Sequence, residues 1–374
     1  MNKASHAKSG ARERWWARRS GSRGALLLRH RASSLGAAAS ASRVPVAPPT
    51  SRLGAAAANA GALFGPSRTE QRIVLKDGRT LGFAEYGDPD GEPVLEFHGW
   101  PSCRLEAWIY DEPGKKVGAR IIAVDRPGFG LSTYKKGFRI IDWPSDVIEL
   151  ADAVGLERFA VAGISSGSPY ALACARFIPE RLTACALVSG LSPLKVEGEC
   201  LNPWKLVDPT EIQIATMASI APCVAREAFR HIARQIIKDP HKAMKQFMKK
   251  APACDRELLD DEAATRSYQQ TVAECSRGGS KGLIDSIGLE MKDWGFRLQD
   301  ITAHVHIWQG ELDTVVLPAA AKYMASRLQN RTLHLIPDAG HLTIIARYAQ
   351  HMLHECCPRP RAQLQPPGRA RLVI

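Results

Sequence analysis

Residues 158–175 read RFAVAGISSGSPYALACA, and this stretch decides the fold. Arg158 to Ala162 is a short, nearly continuous apolar run, the pattern of a strand buried on both faces. It leads straight into Gly163-Ile164-Ser165-Ser166-Gly167, a G-x-S-x-G, and then into a helical stretch opened by Ser168-Pro169-Tyr170. A nucleophile at so sharp a strand-to-helix turn needs small residues two before and two after it, because side chains there would strike the neighbouring strand and helix. Pro169 suits the first turn of a helix, where no amide hydrogen is needed. The motif is short enough to recur by chance, and the chain carries a second copy, Gly278-Gly279-Ser280-Lys281-Gly282. That copy follows no apolar strand and reads as a loop with neither strand nor helix around its serine.

Outward from the elbow the same strand pattern returns. Arg72 to Tyr86 alternates apolar and polar around Asp77-Gly78, the signature of a tight hairpin. Apolar runs then recur at Pro93 to Phe97, Ala119 to Val124, Leu182 to Ser189, His304 to Gln309 and Thr332 to Ile336, separated by helical stretches. This alternation predicts an α/β fold, a mostly parallel sheet with helices on both faces. It is interrupted once. Ile212 to Ile220, Ala225 to Ile237 and Lys242 to Met248 have helical spacing with no strand between them. The predicted organisation is a core over 69–191 and 299–357, with a helical cap inserted at 192–298.

The charge belongs to the ends. The chain has 50 Lys and Arg against 38 Asp and Glu, a net +12, yet residues 1–68 hold twelve of the basic residues and the single acid Glu13. The body from 69 onward therefore carries only +1, which argues against a nucleic-acid-binding domain. Residues 1–68 are rich in Arg, Ala and Ser and lack the apolar core of a secretory signal, so they read as a disordered transit peptide for a mitochondrion or plastid, the alternative being a disordered extension with no address on a cytoplasmic protein. Residues 358–374, with four Arg, four Pro and no acid, read as a disordered tail. No run approaches the length of a spanning helix. The nine cysteines lack any C-x-x-C spacing and read as free thiols, and no ligand spacing for a metal is present.

In an open α/β sheet ligands bind beyond the carboxyl ends of the strands, and each end here carries something. Ser165 follows one strand. Gly310-Glu311-Leu312-Asp313 follows another, and Pro337-Asp338-Ala339-Gly340-His341 the last. A serine needs a base, and the base needs an orienting carboxylate, so Ser165, Asp313 and His341 form the candidate triad. Asp338 is the rival acid, three residues before the base, where shaping the turn is its expected role. His304, His306 and His334 fall within strands. Backbone amides should bind the oxyanion: that of Ser166, after the nucleophile, and that of Trp100 in the loop His98-Gly99-Trp100-Pro101. Gly99 lets the backbone approach, and His98 fixes the loop by hydrogen bonding. Cys103 reads as a bystander thiol.

These residues resemble the α/β-hydrolase superfamily, and within it serine hydrolases whose oxyanion loop reads like H-G-x-P-G-S-R; here it is His98-Gly99-Trp100-Pro101-Ser102-Cys103-Arg104. Three further stretches are similar: Asp125-Arg126-Pro127-Gly128-Phe129-Gly130-Leu131-Ser132, Gly163 through Ala175, and Asp293-Trp294-Gly295-Phe296. The resemblance spans about residues 70–355 and implies a cofactor-independent serine hydrolase acting on a small-molecule carboxylic ester, with neither cofactor nor metal. The elbow departs from the commoner G-x-S-G-G-G-P in placing Ser166 and Ser168 where glycines stand, and the Ser166 hydroxymethyl is expected to narrow the acyl pocket. H-G-W-P is also similar to epoxide hydrolases, but those use an Asp where Ser165 stands. Proline-iminopeptidase-type relatives usually show Trp where Ser166 stands. In the cap, Trp204, Ile212, Ile214, Met217, Ile220, Phe229, Ile237, Phe247 and Met248 are candidates for an apolar site, most of them being cap core. An acyltransferase or lyase using the same triad, or a non-catalytic ligand-binding protein, stays open on sequence.

Overall fold

The computed structural model describes residues 66–196, 199 and 201–357. The tail and all but the last three residues of the leader lie outside them; those three enter the helical turn Pro66–Thr69. Eight strands form one sheet: β1 (Gln71–Val74), β2 (Thr80–Gly87), β3 (Glu92–Phe97), β4 (Ala119–Val124), β5 (Phe159–Ile164), β6 (Leu182–Val188), β7 (Val305–Gly310) and β8 (Arg331–Ile336). Their spatial order is β1-β2-β4-β3-β5-β6-β7-β8. The hairpin at Asp77-Gly78 pairs β1 with β2, and β2 runs antiparallel to β4. Every later pairing is parallel.

Continuous apolar runs are what a sheet covered on both faces requires. Leu95, Phe97, Val161, Leu187 and Ile307 point to one layer, where they meet α2 (Trp143–Ala153), α3 (Ser168–Phe177) and α9 (Pro318–Arg327). Val94, Ala160, Ala186, Val188 and Trp308 point to the other, against α1 (Asp111–Val117), α10 (His341–Arg347) and α11 (Ala349–Cys356). Trp143 is fully buried and stands edge-on to both Phe97, at 5.3 Å, and Tyr170, at 5.9 Å. Such aromatic pairs add about 0.5–1.5 kcal/mol each beyond their buried area. This cluster therefore fixes the end of β3 and the start of α3, the two places from which the oxyanion loop and the elbow depart.

Between β6 and β7 the described residues hold no sheet strand. It forms α4 (Pro209–Ile220), α5 (Pro222–Lys238), α6 (Pro240–Phe247), α7 (Glu262–Cys275) and α8 (Lys281–Glu290), with the helical turn Ala253–Arg256 before α7. The cap thus has two helices, α7 and α8, beyond the three its spacing suggests. Their inward residues include Thr265, Ser267, Thr271 and Ser286, and polar residues on a buried face blur the apolar period. The second G-x-S-x-G also needs correction. No strand precedes it, but Ser280 stands immediately before α8, and Gly282 in its first turn lies against Gly128, where a Cβ would come 2.7 Å from the Gly128 Cα. Its glycine is there for close packing of the cap on the core loop. Among the described residues no helix is long and apolar enough to cross a membrane.

Beneath the cap, Asp125 at the end of β4 is fully buried. Its carboxylate accepts the backbone amides of Arg104 at 2.8 Å and Leu131 at 2.8 Å, and the Arg104 guanidinium at 3.0 Å. The same guanidinium donates to Glu274 of α7 at 2.8 Å and to the Thr69 carbonyl at 2.6 Å. Removing one member of a buried ion pair leaves the other charge unanswered. Replacing Arg104 by Met should therefore lower unfolding stability by about 3–5 kcal/mol in urea titrations; a loss below about 1 kcal/mol would show that the pair is not holding core and cap together.

Candidate active site

The elbow forms because β5 ends where α3 must begin. Ser165 carries φ +50°, a left-handed conformation that costs a side-chain-bearing residue about 1–3 kcal/mol and that packing on both sides must enforce. Gly163 and Gly167 make it possible. A Cβ on Gly163 would lie 2.7 Å from the Gly167 carbonyl oxygen, and one on Gly167 would lie 1.9 Å from the Phe97 carbonyl oxygen. The Ser165 hydroxyl makes no hydrogen bond among the described residues and faces a cavity that His341 also lines.

His341 opens α10 just after β8. Its Nδ1 donates to Asp313 Oδ2 at 2.8 Å, and both residues are buried. Asp313 is itself held by four nitrogens or their equivalents: Gln309 Nε2 and the imidazole on Oδ2, and the amides of Val315 and Val316 on Oδ1. A carboxylate so surrounded by donors cannot swing away from the imidazole. Burial disfavours the imidazolium, but the charge and hydrogen bond of Asp313, with Asp255 and Glu211 adding, outweigh it and raise the His341 pKa above its usual 6.5. Asp338 does not touch His341; it accepts the Tyr348 hydroxyl at 3.2 Å.

The loop His98–Pro101 is held through one peptide. The carbonyl of Gly99 belongs to the same peptide plane as the amide of Trp100, and the two point in opposite directions. That carbonyl accepts His98 Nδ1 at 2.8 Å and Arg126 Nη2 at 3.0 Å, so the Trp100 N–H is fixed by what grips its partner. His98 Nε2 accepts the Arg126 amide at 3.1 Å, which places the ring proton on Nδ1. Burial, then the Arg126 charge, pushes the His98 pKa well below its ordinary value, so the ring stays neutral. From behind, the Gly99 amide donates to Glu106 Oε1 at 2.9 Å.

Sequence reasoning missed the acids that support this loop. Glu96, on β3, is 2% exposed, and neither of its oxygens receives a hydrogen from a donor group. It faces the Glu106 carboxyl at hydrogen-bonding range. Two carboxylates there would only repel, so they share a proton; burial, then the Glu106 charge, pushes the Glu96 pKa well above the usual range. Glu290, in the last turn of α8, is the second such acid. It accepts Arg126 Nη1, the Ser286 hydroxyl and the Ser166 hydroxyl, each at 2.9 Å. Instead of merely narrowing the pocket, the Ser166 side chain is therefore tied to the cap. Asp255, also in the cap, accepts the Thr343 amide at 2.8 Å and so caps α10, the helix that begins with His341. Only Arg126 stood in a quoted motif; Glu96 lies inside a strand run, and Glu106, Asp255 and Glu290 lie in stretches that carry no mark of a site.

The cavity holds about 300 Å³ and is walled mostly by apolar side chains. Of the nine cap candidates, Ile212, Phe247 and Met248 line it. Ile214, Met217 and Phe229 pack within the cap, and Trp204, Ile220 and Ile237 are exposed. Trp100 and Ser166 are at its wall, and the Trp100 indole is docked on the cap through Leu283 O at 3.1 Å. Cys103 is fully buried, and burial pushes its thiol pKa well up, leaving it unreactive. Among the described residues no group of His, Cys, Asp and Glu has the arrangement of a metal site.

Comparison with known proteins places these features in a family. The model of the alpha/beta hydrolase fold matches residues 92–348. A bifunctional esterase/perhydrolase of Acinetobacter calcoaceticus is 25% identical over 279 residues, 72% of this chain and 92% of that protein. A non-heme chloroperoxidase of Streptomyces lividans is 32% identical over 154 residues, 40% of this chain, and a proline iminopeptidase of Xylella fastidiosa is 32% identical over 120 residues, 31% of it. The chain spans 54% and 37% of the length of those two relatives. Among solved structures, an esterase of Exiguobacterium antarcticum superposes with TM-score 0.54 at 19% identity, covering 76% of this chain and 97% of that one.

The geometry predicts how His341 titrates. Its pKa, followed by NMR of the imidazole carbons, should lie above 6.5 and fall by at least about one unit in Asp313→Asn, where the charge is lost and the contact kept. Because the folded value is raised, the stability this interaction contributes is full below pH 6.5 and is lost as pH rises through the folded pKa. A value at or below 6.5, or one unmoved by the substitution, would break the assignment of Asp313 as the orienting charge.

Proposed function

The chain belongs to the alpha/beta hydrolase fold family, and from that premise we propose that it is a serine hydrolase cleaving a carboxylic ester through an acyl-enzyme. One observation carries the reading. Ser165 sits at a strained elbow with its hydroxyl free, in the cavity lined also by His341, whose far nitrogen is held by Asp313 at 2.8 Å.

In this mechanism His341 Nε2 takes the Ser165 proton as Oγ attacks the ester carbonyl, and Asp313 steadies the imidazolium that forms. The Trp100 and Ser166 amides receive the oxyanion; donors of this kind are each worth about 100 to 1000-fold in rate. Collapse expels the alcohol, which takes the proton from His341, and water repeats the sequence to release the acid. The mostly apolar wall supports an apolar acyl or alcohol portion. No step calls on a metal or cofactor.

Intact-mass labelling of the full chain with a fluorophosphonate tests the nucleophile. The expected result is a single adduct on the parent and none on Ser165→Ala, together with turnover of neutral p-nitrophenyl esters that the same substitution reduces by about 1000-fold or more. An adduct that persists in Ser165→Ala, or a folded parent that takes none, would overturn the reading.

A further inference from the structure

We propose that the cavity selects an ester bearing an ammonium or other strong hydrogen-bond donor away from its scissile bond, and that Glu211 is the side chain that reads it. The inference rests on the esterase reading and names the substrate class of the same site.

Charge around the cavity is one-sided. Among the described residues its wall contains Glu106, Glu211, Asp255, Asp261 and Glu290, and no lysine or arginine. Four of these five acids are already answered. Glu290 has Arg126 and two hydroxyls, Glu106 has the Gly99 amide, Asp255 has Thr343, and Asp261 accepts the amides of Ala263 and Ala264. Glu211 alone makes no hydrogen bond or ion pair among the described residues. Among the described residues the charged groups acting on it are His341, Asp208 and Glu290, and of these only the proposed base can carry positive charge.

An acid in the first turn of a helix is common, because it complements the helix dipole, and Glu211 is in the first turn of α4. That role is served equally well by a side chain in water. This one lines the cavity instead, and burial raises its pKa, the mark of a carboxyl lacking a counter-charge. Across from it, Tyr268 of α7 lines the same cavity, responds to the Glu211 charge, and also makes no hydrogen bond among the described residues. Two half-buried polar groups without hydrogen bonds among the described residues, from separate cap helices, thus stand at the wall of one cavity. A ligand donor entering the cavity would give them the partner they lack. A ligand carboxylate or phosphate would meet like charge with no cation at the wall to offset it.

The test uses p-nitrophenyl esters of six-carbon acids that differ only at the far end: methyl, ammonium or carboxylate. On the full chain, kcat/KM for the ammonium ester should exceed that for the carboxylate ester by at least about tenfold. Glu211→Gln should shrink this ratio by about fivefold or more, and Glu211→Asp should keep its direction. Equal or reversed preference, or a ratio unchanged in Glu211→Gln, would overturn the inference while leaving the esterase reading intact. Should all three esters resist cleavage, titration calorimetry of hexylammonium and hexanoate into Ser165→Ala decides it. Tighter binding of hexylammonium that weakens in Ser165→Ala/Glu211→Gln supports the inference, and equal or tighter binding of hexanoate overturns it. The esterase reading fails separately, through an unlabelled Ser165.

Discussion

A guanidinium removed from water needs a counter-charge and acceptors, and Arg126, 1% exposed, finds them in three separate parts of the chain. One arm grips the Gly99 carbonyl of the His98–Pro101 loop. The other reaches the Ser166 carbonyl beside the elbow, at 3.3 Å, and the Glu290 carboxylate of the cap. The Phe129 and Tyr170 faces lie 4.7 and 4.8 Å from it, and its Nε has no hydrogen-bond partner among the described residues. Neither the loop nor the elbow can move far without leaving a buried guanidinium N–H without its acceptor, a penalty of about 1–3 kcal/mol, while the charge itself stays paired with Glu290. The Gly99–Trp100 peptide is therefore held in one orientation, which is what the proposed oxyanion donor at Trp100 requires.

The cap is consequently more than a cover. Glu290 supplies the counter-charge for Arg126, Asp255 caps the helix that starts with His341, and Glu274 shares Arg104 with the core. Two of these contacts join the inserted segment to the residues proposed for catalysis, and the third ties it to the core at Asp125. The close fit of Gly282 on Gly128 brings α8 near enough for the first. On the proposed mechanism, loss of cap packing would be felt as loss of geometry around Trp100 and His341 as well as loss of a binding wall.

The fold was readable because buried parallel strands leave a period of their own: all eight appear in the sequence as apolar runs or as a hairpin, within about two residues of their observed ends. The residues at the site announce themselves in the same way, since Ser165, Asp313 and His341 each sit in a short turn just past a strand. The supporting shell does not. Glu96 lies within an otherwise apolar strand, and Glu106, Glu211 and Glu290 fall in helical segments where an acid ordinarily means a solvated face. What distinguishes them is which way the segment turns once packed, and that is set largely by contacts between distant parts of the chain, such as Trp100 with Leu283, 183 residues apart, and Arg126 with Glu290, 164 apart. Polar inward faces also hid helices α7 and α8, whose buried threonines and serines break the apolar spacing.

The central claim is that Ser165 becomes covalently acylated during turnover. Its most direct test is to quench the reaction of the full chain with a p-nitrophenyl ester in acid during the first turnovers and to weigh the peptide that spans the elbow. The account predicts one acyl mass on that peptide, located at Ser165 by fragmentation and absent in Ser165→Ala. Release of nitrophenol with no acyl mass on Ser165, or with the acyl group on another residue, would contradict it.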